Sequence, residues 1–261
     1  MLKTRLCVAA VGIPLCLGVI WYGGWVCEAF LILLAVAAFL EYNNMVKAGE
    51  ARMMWILGMG MMLNLLLGFY HGWDVRAVGL LILFLTIVVS VFLYPRYTLR
   101  DLAYSLFGAV YIGFLFGYGI WMAYQEAHML DLALVFFLAW GNDSGGYIFG
   151  RLFGKRKLTP LLSPKKTVAG SIGGVLLASA AILVLNACIE VPFDWMALLG
   201  LCVVGSLASQ TGDLFASLMK RYFGVKDAGH LLPGHGGVLD RFDSFMVILP
   251  IVYYFLQGTI Y

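Results

Sequence analysis

An all-α, polytopic integral membrane protein with nine transmembrane helices and a cytoplasmic N-terminus is the architecture this sequence predicts, and three observations predict it. Hydrophobic residues fill 62% of the 261 positions and charged residues only 12%, with a mean hydropathy of +0.93. A soluble domain carries about 25% charge. The apolar residues also gather into nine runs, most of them of membrane-crossing length. Finally, the cations fall in alternate loops between those runs: of the 17 Lys and Arg, only Arg76 lies on the opposite side. Lys and Arg collect on the cytoplasmic face, and a wrong span count would scramble the separation. The chain is nearly used up in making spans, so 1–261 reads as a single membrane domain with no separate soluble part and no expected nucleic-acid partner.

The first run, 6–22, follows Lys3 and Arg5 and has the charge pattern of a secretory signal. No small-x-small cleavage site follows it, so a retained first helix is expected. The second, 25–41, carries Glu28 one turn in and Glu41 at its end, both read as structural carboxylates. The third, 53–70, opens on the Met-rich stretch 53–62, expected to pack against lipid, and holds Asn64. Runs 77–94 and 102–124 flank a loop with Arg96 and Arg100. The sixth, 132–140, stops at Gly141-Asn142-Asp143 unless its helix continues through Tyr147 towards Gly150; polar residues at a helix end point to a cavity. Runs 172–186, 195–213 and 242–261 complete the set. The far-side turns at 23–24, 71–76, 125–131 and 187–194 carry no motif. Cys7, Cys16, Cys27, Cys188 and Cys202 lack metal-ligand spacing and read as small hydrophobes.

Polar chemistry is confined to residues 140–244, the expected catalytic part. At the cytoplasmic end of the eighth run, Gln210, Asp213, Ser217 and Lys220 recur at helical spacing and share one face. An acid at a membrane border is a functional candidate, although an Asp paired with Lys220 explains it equally well. Asp240 and Asp243 open the ninth run, where a helix N-terminus favours one capping carboxylate but accounts less well for two. Carboxylates meeting from two helices suit Mg2+, which binds through one or two acids plus substrate phosphates. Between these helices, Pro233-Gly-His235-Gly-Gly237 breaks the chain and can present backbone N–H groups to an anion, with His235 able to bond a carboxylate or phosphate and His230 read as a solvated loop residue. Six cations lie within 151–166, more than orientation alone requires.

The segment 217–243 resembles, in order and spacing, the signature of phosphatidate cytidylyltransferases, integral membrane enzymes that activate phosphatidic acid with CTP. Ser163-Pro-Lys-Lys-Thr167 resembles that family's second motif, but Val168 and Ala169 stand where relatives place an aromatic and an acidic or amide residue, so no role is carried to those two positions. The resemblance implies that Asp213 and Asp240 hold Mg2+, with or without a second cation, and that Asp143 and Asp243 serve as outer ligands or proton acceptors. It implies phosphate contacts from Ser163, Lys165, Lys166, Thr167, Lys220, Arg221, Lys226 and Arg241, with Asp213, Asp240, Asp243, Lys220, Arg241 and His235 forming the catalytic set. The expected partners are CTP, phosphatidic acid and membrane lipids, with a homodimer left open, and the expected location is a bacterial plasma membrane with the site facing the cytoplasm. A nucleotidyltransferase for another membrane lipid would keep the same metal site. An ion-coupled transporter would also place acids at broken helices; against it, the charges cluster at one face and no internal repeat is visible.

Overall fold

Backbone amides inside an apolar run have no water to bond and must be satisfied within the segment, which a helix does. The computed structural model describes residues 2–188, 193–232, 234 and 236–259. Its helices are α1 (Leu2–Tyr22), α2 (Gly24–Ala48), α3 (Trp55–His71), α4 (Val75–Phe92), α5 (Leu99–Ala109), α6 (Leu115–Ala123), α7 (His128–Phe153), α8 (Val168–Cys188), α9 (Trp195–Tyr222) and α10 (Leu239–Thr259). A π-helical stretch, Val110–Phe114, joins α5 to α6. Among the described residues five segments are long and apolar enough to cross a membrane: Gly24–Ala48, Val75–Phe92, Leu99–Ala123, Val168–Cys188 and Trp195–Tyr222. Along α4 the large apolar side chains Leu80, Leu81, Phe84, Val91 and Phe92 are exposed, as a surface facing lipid requires. The chain is therefore a largely helical, membrane-embedded protein. The all-helical expectation missed one element, a hairpin of β1 (Lys157–Thr159) and β2 (Ser163–Thr167).

The chain forms two units, Met1–His128 with Lys220–Arg241, and Met129–Met219 with Phe242–Tyr261. In the first, α3 packs against α4, α5, the π stretch and α6. This central position corrects the expectation for the Met-rich stretch: Met53, Met54, Met61 and Met62 are buried in protein, because α3 has helical neighbours rather than lipid beside it. Gly113 permits close approach of the π stretch to α3, since a Cβ there would sit 2.4 Å from the carbonyl oxygen of Met62. Glu28 meets the His71 ring at 2.5 Å and accepts the Tyr124 hydroxyl, a pairing across helices. Asn64 receives Trp73 Nε1 at 2.9 Å and donates to the Val75 carbonyl at 3.0 Å, tying α3 to the start of α4.

In the second unit α7 does not stop at Gly141. It continues to Phe153, because its glycines face the small residues of α8. A Cβ on Gly141 would meet the Ala178 backbone at 2.8 Å, and one on Gly145 would meet the Gly173 carbonyl oxygen at 2.3 Å. Small residues at helical spacing let two membrane helices touch backbone to backbone. The propensity cost of glycine, about 1 kcal/mol each, is offset by that contact. The cysteines fit their reading as small hydrophobes where described: Cys27 and Cys202 are buried, Cys188 is exposed, and none of the described cysteines is in a disulfide.

Candidate active site

Within the second unit, the hairpin and three helices enclose a cavity of about 220 Å³. The register pairs Lys157 with Thr167 and Thr159 with Ser163, so β2 delivers Lys165 and Lys166 to the cavity and ends at the start of α8. Thr167 is buried and its hydroxyl accepts from Gly170 N at 3.1 Å, capping α8. Val168 and Ala169 are thereby the first two residues of α8, with Val168 N donating to the Arg156 carbonyl at 3.0 Å. From α7 come Asn142, Asp143 and Tyr147, and from α9 Gln210 and Asp213. One cavity thus gathers Asp143, Lys165, Lys166, Thr167 and Asp213, five of the residues expected to act. Ser163 lies at the hairpin, half-buried.

The wall is held by an amide network that the sequence reading placed on a helix face without partners. Gln210 Nε2 donates to Asn142 Oδ1 and to the Ser171 carbonyl, each at 3.0 Å, and its Oε1 accepts the Ser171 hydroxyl. Asn142 Nδ2 in turn donates to Ser209 Oγ at 3.1 Å. Gly174 belongs to this network by omission, since a Cβ there would lie 2.4 Å from Asn142 Oδ1. Lys166 Nζ sits 2.5 Å from Asp213 Oδ2, with both side chains partly exposed. Lower in the unit, buried Asp243 accepts from Ser244 N at 2.7 Å.

The first unit builds the other half of the expected set from the segment after Lys220. Lys220 Nζ meets Asp240 Oδ1 at 2.6 Å, with the two side chains only 14% and 5% exposed. Asp240 Oδ2 accepts from Ala228 N at 2.8 Å and Gly237 N at 3.0 Å. Glu41 of α2, buried, accepts from Val238 N at 3.0 Å and Leu239 N at 2.9 Å, so it caps α10. The glycines of the signature now have a steric reason. A Cβ on Gly229 or Gly237 would fall 2.4 Å from a Glu41 carboxylate oxygen, and Gly236, at φ +87°, lies where a Cβ would come within 2.9 Å of Asp240 Oδ2. Of the Gly-rich turn, Gly237 donates its N–H to the chain's own Asp240, and the next two residues donate theirs to Glu41. Arg221, Lys226 and Arg241 are exposed, as is His230. His235 and Pro233, by contrast, lie outside the described residues.

The two acids expected to bind metal therefore share one property: each holds a lysine ammonium. Among the described residues no three His, Cys, Asp or Glu side chains form a closed metal site, but Mg2+ needs only one or two protein carboxylates when phosphates and water complete its shell. Acids, lysines and a helix N-terminus around one cavity are the parts for handling a nucleotide's phosphates at a membrane.

The chain belongs to the cytidylyltransferase family, matching it over residues 3–259. Phosphatidate cytidylyltransferase of Staphylococcus epidermidis is 34% identical over 262 residues, covering 99% of this chain and 100% of the relative. The proteins of the same name from Staphylococcus saprophyticus and Staphylococcus aureus are 35% and 33% identical over 255 residues, covering 96% of this chain and 97% of each relative.

Proposed function

We propose that this chain transfers CMP from CTP to phosphatidate, giving CDP-diacylglycerol and pyrophosphate. The observation that carries the reading is a cavity that brings Asp143 and Asp213 together with Lys165 and Lys166, in a chain that matches the cytidylyltransferase family along nearly its whole length. Asp213, Asp240 and Asp143 would hold Mg2+, which supplies charge neutralisation on the triphosphate when bound. Lys166 and Lys220, the counter-charges of the acids in the structure, then become available to phosphate, alongside Lys165 and the N-terminus of α8. Arg221, Lys226 and Arg241 are exposed cations for the outer phosphates, and Ser163 and His235 belong to the same proposed set.

In the reaction a phosphatidate oxygen forms a bond to the α-phosphorus of CTP while the bond to the bridging oxygen breaks and pyrophosphate leaves. A phosphate monoester has a second pKa near about 6, so at neutral pH the attacking oxygen is already ionised and needs no general base. The protein's contribution is to hold two polyanions together and absorb the charge that develops on them.

Nine spans, a cytoplasmic N-terminus and a site facing the cytoplasm of a bacterial plasma membrane complete the proposal, supported by the one-sided distribution of cations. Purified protein incubated with CTP and Mg2+ is expected to release pyrophosphate only when phosphatidate is added. Release without lipid, or none with it, would overturn the assignment.

A further inference from the structure

The first unit also holds a second cationic basin, formed by residues outside the signature. A wide opening of about 690 Å³ is lined by Lys47, Arg52 and Arg96, with Glu50, Trp55 and Tyr97 at its walls. Lys47 ends α2 and Trp55 begins α3, while Arg96 and Tyr97 lie between α4 and α5. Two interhelical loops thus contribute to one basin. They are pinned together by Asp101, which is buried and accepts from Arg52 N at 2.9 Å, Thr98 N at 2.7 Å and Thr98 Oγ1 at 2.7 Å. Ser105 fastens the same loop further along, accepting from Met54 N at 2.8 Å. The nearby carboxylate is therefore engaged with backbone, and among the described residues none of Lys47, Arg52 and Arg96 is in an ion pair with an acid.

We infer that this basin binds the phosphate headgroup of an acidic phospholipid. Three cations against one exposed carboxylate, Glu50, leave a net positive lining. Two of the three are Arg, whose planar fork matches phosphate oxygens. Beside them Trp55 and Ile56 are exposed at 46% and 68%, an amphipathic ring and an apolar side chain of the kind that meets lipid next to a headgroup. A free phosphate would use the cations but not that apolar flank, so a lipid is the occupant the basin fits. The cations also orient the chain in the membrane, but orientation does not require them to converge on one cavity, nor a buried acid to lock their loops together.

The test is native mass spectrometry of the full-length protein in neutral detergent, titrated with phosphatidylglycerol, a diester that cannot serve as the phosphate monoester acceptor, and with phosphatidylcholine. The wild type is expected to retain phosphatidylglycerol at least about tenfold better than phosphatidylcholine. Each of Lys47→Gln, Arg52→Gln and Arg96→Gln should weaken retention about fivefold, the ratio that corresponds to one surface cation near anionic lipid. The triple change should abolish the preference, whereas the matched loss of three exposed charges, Lys155→Gln with Arg156→Gln and Lys157→Gln, should preserve it. Unchanged retention in the three single variants, equal loss in the matched variant, or complete displacement by inorganic phosphate at the lipid's own concentration would each overturn the inference.

Discussion

Lys166 Nζ lies 2.5 Å from Asp213 Oδ2, so strand β2 and helix α9 meet through a charge pair at the wall of the cavity. The corresponding pair in the other unit, Lys220 with Asp240, is similar in length but far more buried. That difference in burial sets different costs for breaking the two pairs.

Asp213→Asn is expected to abolish CTP turnover while leaving thermal stability nearly unchanged, since a partly exposed pair contributes only about 0–1 kcal/mol. Asp240→Asn is expected to lose turnover and stability together, because it leaves Lys220 buried without its carboxylate, a loss of roughly 3–5 kcal/mol. Melting temperatures of both variants in detergent, alongside pyrophosphate release across a range of Mg2+, check this. Near-normal turnover of Asp213→Asn would make that acid structural.

Replacing Lys165 and Lys166 together with Gln should lower turnover about a hundredfold or more, the scale for removing groups that stabilise charge in a transition state. If the two lysines only attract anionic lipid, each is worth about 1 kcal/mol near the surface and nothing in neutral detergent. Wild-type CTP and phosphatidate kinetics for the double variant in such detergent would remove both from the phosphate contacts.

Glu41 and Gly237 should show strong coupling. Gly237→Ala drives a Cβ against the Glu41 carboxylate and is expected to be severely destabilising by itself. Glu41→Ala loses two charge-assisted hydrogen bonds, worth about 1.5–3 kcal/mol each. In the double variant the clash is gone, so the combined loss should fall well short of the two single losses added together. A thermal double-mutant cycle measures the coupling, and simple additivity would show that the two positions do not interact.

Gly145→Ala and Gly200→Ala offer a matched contrast on helices of the same unit. The first places a Cβ 2.3 Å from the Gly173 carbonyl oxygen, backbone that cannot rotate away, while the second meets nothing within 4 Å. The first should lower stability by about 1–3 kcal/mol and reduce turnover by displacing the cavity wall. The second should be neutral or slightly stabilising. Equal melting temperatures for the two variants would contradict the close α7–α8 contact.

The largely helical, membrane-embedded character was legible because hydropathy is a property of residue type, and Asp143, Asp213, Lys165 and Lys166, which line one cavity, stood out as charges in an apolar chain. The rest depended on backbone partners, which residue type does not encode. Glu41 read as an incidental structural acid, since its partners, Val238 N and Leu239 N, carry no mark in the sequence. The sixth run seemed to end at Gly141 because glycine normally weakens a helix, and only the small residues of α8 reveal why it continues. Strands of three and five residues with no apolar alternation gave no signal for the hairpin that carries Lys165 and Lys166. The π-helical stretch at Val110–Phe114 had none either.

The separation of 198 positions between Glu41 and Leu239 also sets an order of events during synthesis. At about 5–20 residues per second, roughly 10–40 s pass between the translation of Glu41 and that of the amides it will cap. Throughout that interval the Glu41 carboxylate lacks the two amides that later cap onto it. The signature loop closes last, and the arrival of its amides withdraws that acid from water. A protein truncated before residue 238 would therefore be marked for quality control by a Glu41 carboxylate left without its amides.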